Sequence, residues 1–352
     1  MTTTRTLRRT VAAGLAAALY ASLIAPVHAA QPHARDASGG SIVLYSAQGY
    51  DSAMSKAYAK ASGTKVLLTD DSTGSLVAKM EAEKNNPHWD VAWFDGDATM
   101  QALNDQHLLY KWTPANVKNY TTLGKSLIPT SHAFYPTGVT AAGVIVYNTR
   151  RLSASQAPKD WSDLLTSTYK GKVAEIDPAY SGPAFPFIAG QMLREGGLTK
   201  GESYFQQLKN NGLKIFQTND PTLHNVETGA LDVGIVQDSA YYGAKLTGNP
   251  PIGVVYPKSG VTVLPGEIAI NLKSRNLAAA KAFVNYVLSQ AGQNVMIHDP
   301  NDTDSYFNPI ISGVTALPGR QTTGITFQRL NYIWAGQHQA TIQSWFHAHV
   351  VQ

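Results

Sequence analysis

Apolar and polar positions fall into a repeated order along most of the chain: a short apolar run, a polar turn, then a stretch with helical spacing. Strands are expected at 41–46, 65–68, 90–94, 172–176, 213–216, 233–236, 252–256 and 267–271. A long apolar strand region is expected over 138–148. Helices are expected at 52–61, 76–84, 98–109, 185–194, 278–288, 291–297 and 329–350, with a further helix between 216 and 233. Several of the strands are continuously apolar, as they must be where both faces of a sheet are covered. The alternation implies an α/β chain with βαβ crossovers. No internal repeat and no low-complexity tract interrupts it. Lobes built in this way leave a ligand cleft at the carboxyl ends of strands and the N-termini of helices.

The first residues follow a different pattern. Arg5, Arg8 and Arg9 precede an uncharged apolar run over 11–25, and Val27-His28-Ala29 ends in a small residue. Residues 1–29 are read as a secretory signal peptide, too short in its apolar part for a comfortable membrane span. Residues 30–40 are read as a flexible entry segment. The whole chain carries 28 Lys and Arg against 24 Asp and Glu. Setting aside the three arginines of 1–29 leaves 25 basic residues against 24 acidic, a net charge of +1. With no basic stripe either, nucleic acid and an anionic membrane are excluded as partners. The sequence has no cysteine, so stability rests on a packed core, and the 323 residues after position 29 suffice for two lobes. A freely diffusing exported protein of this kind is expected in the periplasm, as a monomer.

Signatures of catalysis are scarce. There is no G-x-S-x-G, Walker loop, G-x-G-x-x-G or H-E-x-x-H. Ser167-Thr168-Tyr169-Lys170 matches S-x-x-K without its partner motifs, and His347 and His349 read as a solvated face. What recurs is a strand that ends in a polar turn and opens a helix. The turns are Asp71-Ser72-Thr73-Gly74-Ser75, Tyr180-Ser181-Gly182, Thr218-Asn219-Asp220 and Gln237-Asp238-Ser239. Taken singly, each is a helix cap. Together they suggest turns converging on a bound anion. Each hydrogen bond to a charged group contributes roughly 1.5–3 kcal/mol, so three or four approach the ~8 kcal/mol of a micromolar complex. Asp95, Asp97, Asp302 and Asp304, with Tyr306, are either turn residues or a pocket for an ammonium group or hydroxyls. Tyr241-Tyr242 is either one core ring beside one cleft ring or a pair of ligands.

Two long stretches carry a resemblance. "APKDWSDLLTSTYKGKVAEIDP" (157–178) and "AAAKAFVNYVLSQAGQNVM" (278–296) resemble segments of the periplasmic solute-binding proteins that serve ABC importers. The resemblance covers nearly all of the chain after the leader. It implies a two-lobed type II binding-protein fold, each lobe a mixed sheet flanked by helices, with lobe 1 at 41–138 plus 257–308 and lobe 2 at 139–256 plus 309–352. "DSTGSLVAKMEAEKNNPHWDVAW" (71–93) and "DPAYSGPAF" (177–185) are similar to a 2-aminoethylphosphonate-binding branch. That branch implies a small anionic solute, an organophosphonate or phosphate ester, delivered to an inner-membrane permease without covalent chemistry and without a cofactor. Its expected ligand-binding residues here are Ser72, Thr73, Gly74, Ser75, Asp95, Ser181, Gly182, Asn219, Gln237, Asp238, Tyr241 and Tyr242. A ferric-ion-binding branch also aligns and implies Asp95 with Tyr241 and Tyr242 as iron ligands. Aligned without gaps, however, that branch's two tyrosine positions fall on Ser239 and Ala240, and its histidine position on Gly49. A periplasmic hydrolase of phosphate esters is the alternative from another class.

Overall fold

The computed structural model describes residues 40–298 and 303–352. The leader expected over 1–29, all of the 30–40 segment but Gly40, and Asp302 lie outside the described residues. The chain begins with three strand–helix units: β1 (Ser41–Ser46), α1 (Asp51–Ser62), β2 (Lys65–Asp70), α2 (Thr73–Ala82), β3 (Val91–Asp95) and α3 (Asp97–Asp105). A short helix α4 (Thr122–Leu127) and strand β4 (Phe134–Ala141) follow. Next come β5 (Val144–Asn148), β6 (Val173–Ile176), α5 (Ala184–Glu195), α6 (Leu198–Asn210), β7 (Lys214–Phe216), α7 (Asn219–Thr228), β8 (Val233–Val236), α8 (Asp238–Thr247) and β9 (Ile252–Val255). The chain closes with β10 (Val261–Ile270), α9 (Leu277–Val287), α10 (Gln290–Ile297), β11 (Phe327–Gln328) and α11 (Tyr332–Phe346).

Among the described residues these strands make two sheets. The first has the order β11-β10-β3-β1-β2, with β4 on the other side of β10; the second has the order β7-β6-β8-β5-β9. β1 pairs in parallel with β2 and β3, and β10 runs antiparallel to β3 and β4. In the second sheet β6 is parallel to β7 and β8, and β5 is antiparallel to β8 and β9. Each sheet has its own core. One joins Ile42, Trp93 and Ile268 to Phe283 and Met296; the other joins Val146, Val173 and Ile235 to Phe187 and Phe205.

The chain crosses between sheets where periodicity alone showed no break. The run expected as one strand over 138–148 is two strands in different sheets, β4 and β5, joined by Ala142-Gly143. The expected 138/139 lobe boundary thus falls inside β4, whose pairing with β10 extends to Ala141 opposite Val263. β10 starts at Val261 rather than 267. The strand runs through Pro265-Gly266, and its register shifts between Gly266 and Glu267. Helix α6 is additional to the expected elements, and buries Tyr204, Phe205 and Leu208. The tail also divides differently from the expected lobe 2 span. Ile310 and Ile311 sit in the first core, whereas Ile342, Phe346 and Val350 sit in the second. Helix α11 packs on both α3 and α5 and so touches both halves.

Candidate functional site

The cleft between the two sheets is built from strand ends. Ser46, Asp70 and Asp95 close three strands of the first sheet, and the turns that follow them face the turns that follow β6, β7 and β8. A cavity of about 430 Å³ lies between them. Its walls include Gln48, Gly49, Asp71, Ser72 and Thr73 from one side, and Tyr180, Ser181, Gly182, Asn219 and Gln237 from the other. The two sides touch. The Gly74 amide donates to the Tyr180 carbonyl at 3.4 Å. A Cβ at Gly74 would lie 2.0 Å from the Ala179 oxygen, and one at Gly182 would lie 2.6 Å from Thr73 Oγ1. Both glycines are therefore required by the close approach of two turns from different lobes.

Ser72 is the N-cap of α2, its hydroxyl accepting from the Ser75 amide at 3.3 Å and donating to Ser75 Oγ at 2.9 Å. Asp71 Oδ1 in turn accepts from the Ser72 amide at 2.7 Å. The cap and the cavity wall are thus one structure: Ser72 and Thr73 line the cavity while they begin the helix. Ser75, expected in the site, points away from it as an exposed partner of the cap. Its position three residues after Ser72 serves the cap and takes it off the cleft face. Ser181 is buried beside Gly182. Its hydroxyl has no hydrogen-bond partner among the described residues. Together with the first turn of α2, it forms the donor-bearing part of the cleft.

Carboxylates line the same cleft beside these donors. Asp95 Oδ1 accepts from Gln48 Nε2 at 3.0 Å and Oδ2 from Gln237 Nε2 at 3.3 Å, one amide from each lobe. Gln237 is held by two further bonds: Nε2 donates to Thr140 Oγ1 at 2.9 Å, and its backbone amide donates to Asn219 Oδ1 at 3.1 Å. Asp304 Oδ2 accepts from the Gly49 amide at 3.1 Å, and Oδ1 accepts from Ser239 Oγ at 3.5 Å. Asp70, Asp71 and Asp220 complete the acidic lining, and among the described residues no Lys or Arg lines the cavity. Burial, then the charge of Asp304, pushes the Asp95 carboxyl up to about 7. Burial raises Asp304 as well. Behind the cleft, burial pushes Asp97 up to about 7, and Glu267 lies well above the ordinary carboxylate range through burial and the nearby Asp97 and Asp95. Asp97 opens α3 and does not line the cavity.

Four further expected residues are elsewhere. Gly74 lines a separate cavity and not the cleft. Asp238 is fully buried and paired with Arg320 at 2.6 Å. It also accepts from the Ala141 amide at 3.0 Å and from the Tyr256 hydroxyl at 3.0 Å. Its carboxylate is used up in holding the start of α8 against the strand crossings. Tyr242 is buried, its oxygen 3.2 Å from the Tyr256 hydroxyl and accepting from the Gln321 amide at 3.1 Å. Tyr241 packs edge-on against Tyr242, and neither ring lines the cavity. The helical period explains this. Residues 239 and 240 are on the cleft side of α8, where Ser239 meets Asp304 and Ala240 lines the cavity, and the next two positions turn away. Tyr306 stacks on Tyr242 in the same cluster. Among the described residues no group of three or more His, Asp or Glu side chains is arranged to hold a metal ion.

Two contributors were missed. Gln48 lies in Ala47-Gln48-Gly49-Tyr50, which is itself a polar turn between a strand and a helix. Asp70 is two residues past the expected end of its strand at 68, and the strand runs on to it. The signal for Gln48 was the same strand–turn–helix junction that marked the other four turns.

Residues 53–319 match the family model of the bacterial extracellular solute-binding proteins. The chain belongs to that family. A probable ABC transporter periplasmic-binding protein of Sinorhizobium fredii is 26% identical over 255 residues, covering 70% of this chain and 68% of that one. The major ferric iron-binding protein of Neisseria meningitidis serogroup B is 24% identical over 287 residues, covering 79% and 83%. The fold is shared with the periplasmic binding protein AfuA from Actinobacillus pleuropneumoniae, solved with fructose-6-phosphate bound. The TM-score is 0.78 at 23% identity, covering 89% of this chain and 99% of that one. In this solute-binding protein no helix among the described residues is long and apolar enough to cross a membrane.

Proposed function

We propose that this protein is the periplasmic substrate-binding component of an ABC importer, and that its cleft takes a small organophosphonate carrying an ammonium group, 2-aminoethylphosphonate-like. The observation that carries the reading is the mixed lining of the cleft: hydroxyls and helix-start amides at Ser72, Thr73 and Ser181 together with the carboxylates of Asp95, Asp220 and Asp304, and no Lys or Arg of the described residues among them. An anion alone would meet Asp95, Asp220 and Asp304 without compensation. A zwitterion satisfies both kinds of lining group, with its oxyanion on the turn hydroxyls and amides and its ammonium on the carboxylates. Membership of the solute-binding family supports the carrier role, as does a relative named for an ABC transporter. The ferric alternative draws on the iron-binding relative, yet Tyr241 and Tyr242 are outside the cleft lining.

Calorimetry with 2-aminoethylphosphonate and with ethylphosphonate tests the reading. Loss of the ammonium removes charged hydrogen bonds of roughly 1.5–3 kcal/mol each, so ethylphosphonate is expected to bind at least about tenfold more weakly. Equal affinities would remove the zwitterion reading. Tight ferric binding with a visible band that vanishes in Tyr241→Phe plus Tyr242→Phe would replace it with iron. Turnover of phosphate esters would move the protein to the hydrolases.

A further inference from the structure

At the base of the cleft is a small pocket of about 10 Å³. It shares Gln48, Asp95, Gln237 and Asp304 with the cleft lining and adds Tyr50, Thr140 and Phe307 as a floor. The three floor side chains are buried. Asp95 and Asp304 are half-buried and belong to both cavities, so the pocket meets the cleft at the two carboxylates. Its volume is about that of one water-sized group. One carbon added at Gly266, on its wall, would already stand 3.3 Å from Gln48 Oε1 and 3.5 Å from Asp95 Oδ1. The pocket therefore has no room for a branched group.

Its polar atoms are held in place. The Tyr50 hydroxyl donates to Gln48 Oε1, which leaves Gln48 Nε2 to donate to Asp95 Oδ1. Gln237 Nε2 is shared between Thr140 Oγ1 and Asp95 Oδ2. A carboxylate has about four acceptor positions, and these bonds occupy two at Asp95. The charge of Asp304 bears on Asp95, and among the described residues no Lys or Arg lines the pocket. A compact cation that donates hydrogen bonds relieves this repulsion, which a neutral water leaves in place. The donors for an anion are close by. The Ser181 hydroxyl is buried, lines the cleft and has no partner among the described residues. A Cβ at the neighbouring Gly182 would lie 3.4 Å from Asp95 Cβ, so an anion on Ser181 is only a short spacer away from the pocket. Building on the cleft reading above, we propose that this pocket is the subsite for a primary ammonium group, and that it selects short unbranched aminoalkylphosphonates against their N-methylated counterparts.

The test is calorimetry with 2-aminoethylphosphonate, its N,N,N-trimethyl derivative and ethylphosphonate. The trimethyl compound keeps the positive charge, has no N–H and outgrows the pocket. It is expected to bind at least about tenfold more weakly than the primary amine. Equal affinity of the primary and quaternary ligands, both tighter than ethylphosphonate, would overturn the subsite and leave the zwitterion reading standing. Equal affinity of 2-aminoethylphosphonate and ethylphosphonate would remove that reading and the subsite with it. Asp304→Asn keeps the side-chain shape and removes its charge. It is expected to narrow the gap between 2-aminoethylphosphonate and ethylphosphonate about tenfold, and an undiminished gap would overturn the proposal. The ligand series is read on the parent protein and stands whether or not the variant folds.

Discussion

The turn before α2 and the turn before α8 look alike in sequence. Each follows a strand of one sheet, each carries an acid and a serine, and each opens a helix of ten residues. In the folded protein they do opposite things. At α2 the cap is made locally, by Ser72 on its own Ser75, and Ser72 and Thr73 stay in the cleft wall. At α8 the acid is buried against Arg320, which also donates to the Tyr306 carbonyl at 2.7 Å, and its other bonds go to Ala141 and Tyr256. Ala141 precedes one crossing between the sheets, and Tyr256 sits in the next, between β9 and β10. One turn is thus a locally capped wall of the cleft. The other is a knot tying together the segments about which the lobes are joined.

The largest effect should come from cutting the knot. Asp238→Ala leaves the Arg320 guanidinium buried without its partner, and breaking a buried pair in this way typically costs about 3–5 kcal/mol. Thermal or urea unfolding is expected to show that loss, and a melting point unchanged from the parent would mean that the pair is not structural.

The matching cut at the α2 side should spare the fold and damage binding. Thr73→Val with Ser181→Ala removes two hydroxyls from the donors of the cleft. Affinity for 2-aminoethylphosphonate is expected to fall tenfold or more, with stability changed by no more than about 1 kcal/mol. If calorimetry finds the affinity intact and only the melting point lowered, the turn of α2 is a cap and nothing else, and the contrast with α8 dissolves.

A finer separation uses pH. Asp95 stands at about 7, raised from the ordinary Asp range by burial and by Asp304. A raised carboxyl stabilises the fold most while protonated, so its contribution is present at acid pH. It is lost as pH rises from about 4 through about 7. An ammonium ligand favours the charged carboxylate and releases the proton, so affinity should rise with pH up to about 7, at most about tenfold per unit. Asp95→Asn is expected to flatten that rise, and an unaltered profile in the variant would show that Asp95 does not meet the ligand's charge.

The alternation of apolar runs and helical stretches determined the α/β class and nearly every strand, because those patterns depend on neighbours one to four residues apart. The same local logic marked Ser72, Thr73, Ser181, Gly182, Asn219, Gln237 and Asp95, which line one cleft, but also Gly74, Ser75 and Asp238, which do not. The family resemblance was legible because it runs through continuous segments such as 157–178. Tertiary structure alone decided where the 138–148 run divides, since one apolar strand is chemically much like another until a partner strand is chosen. It alone decided that Asp238 is structural, since nothing near it in sequence announces Arg320, 82 positions away. It also put Tyr241 and Tyr242 on the far face of α8 while Ser239 and Ala240 face the cleft, because a rotation of two residues about a helix axis carries a side chain to its other side.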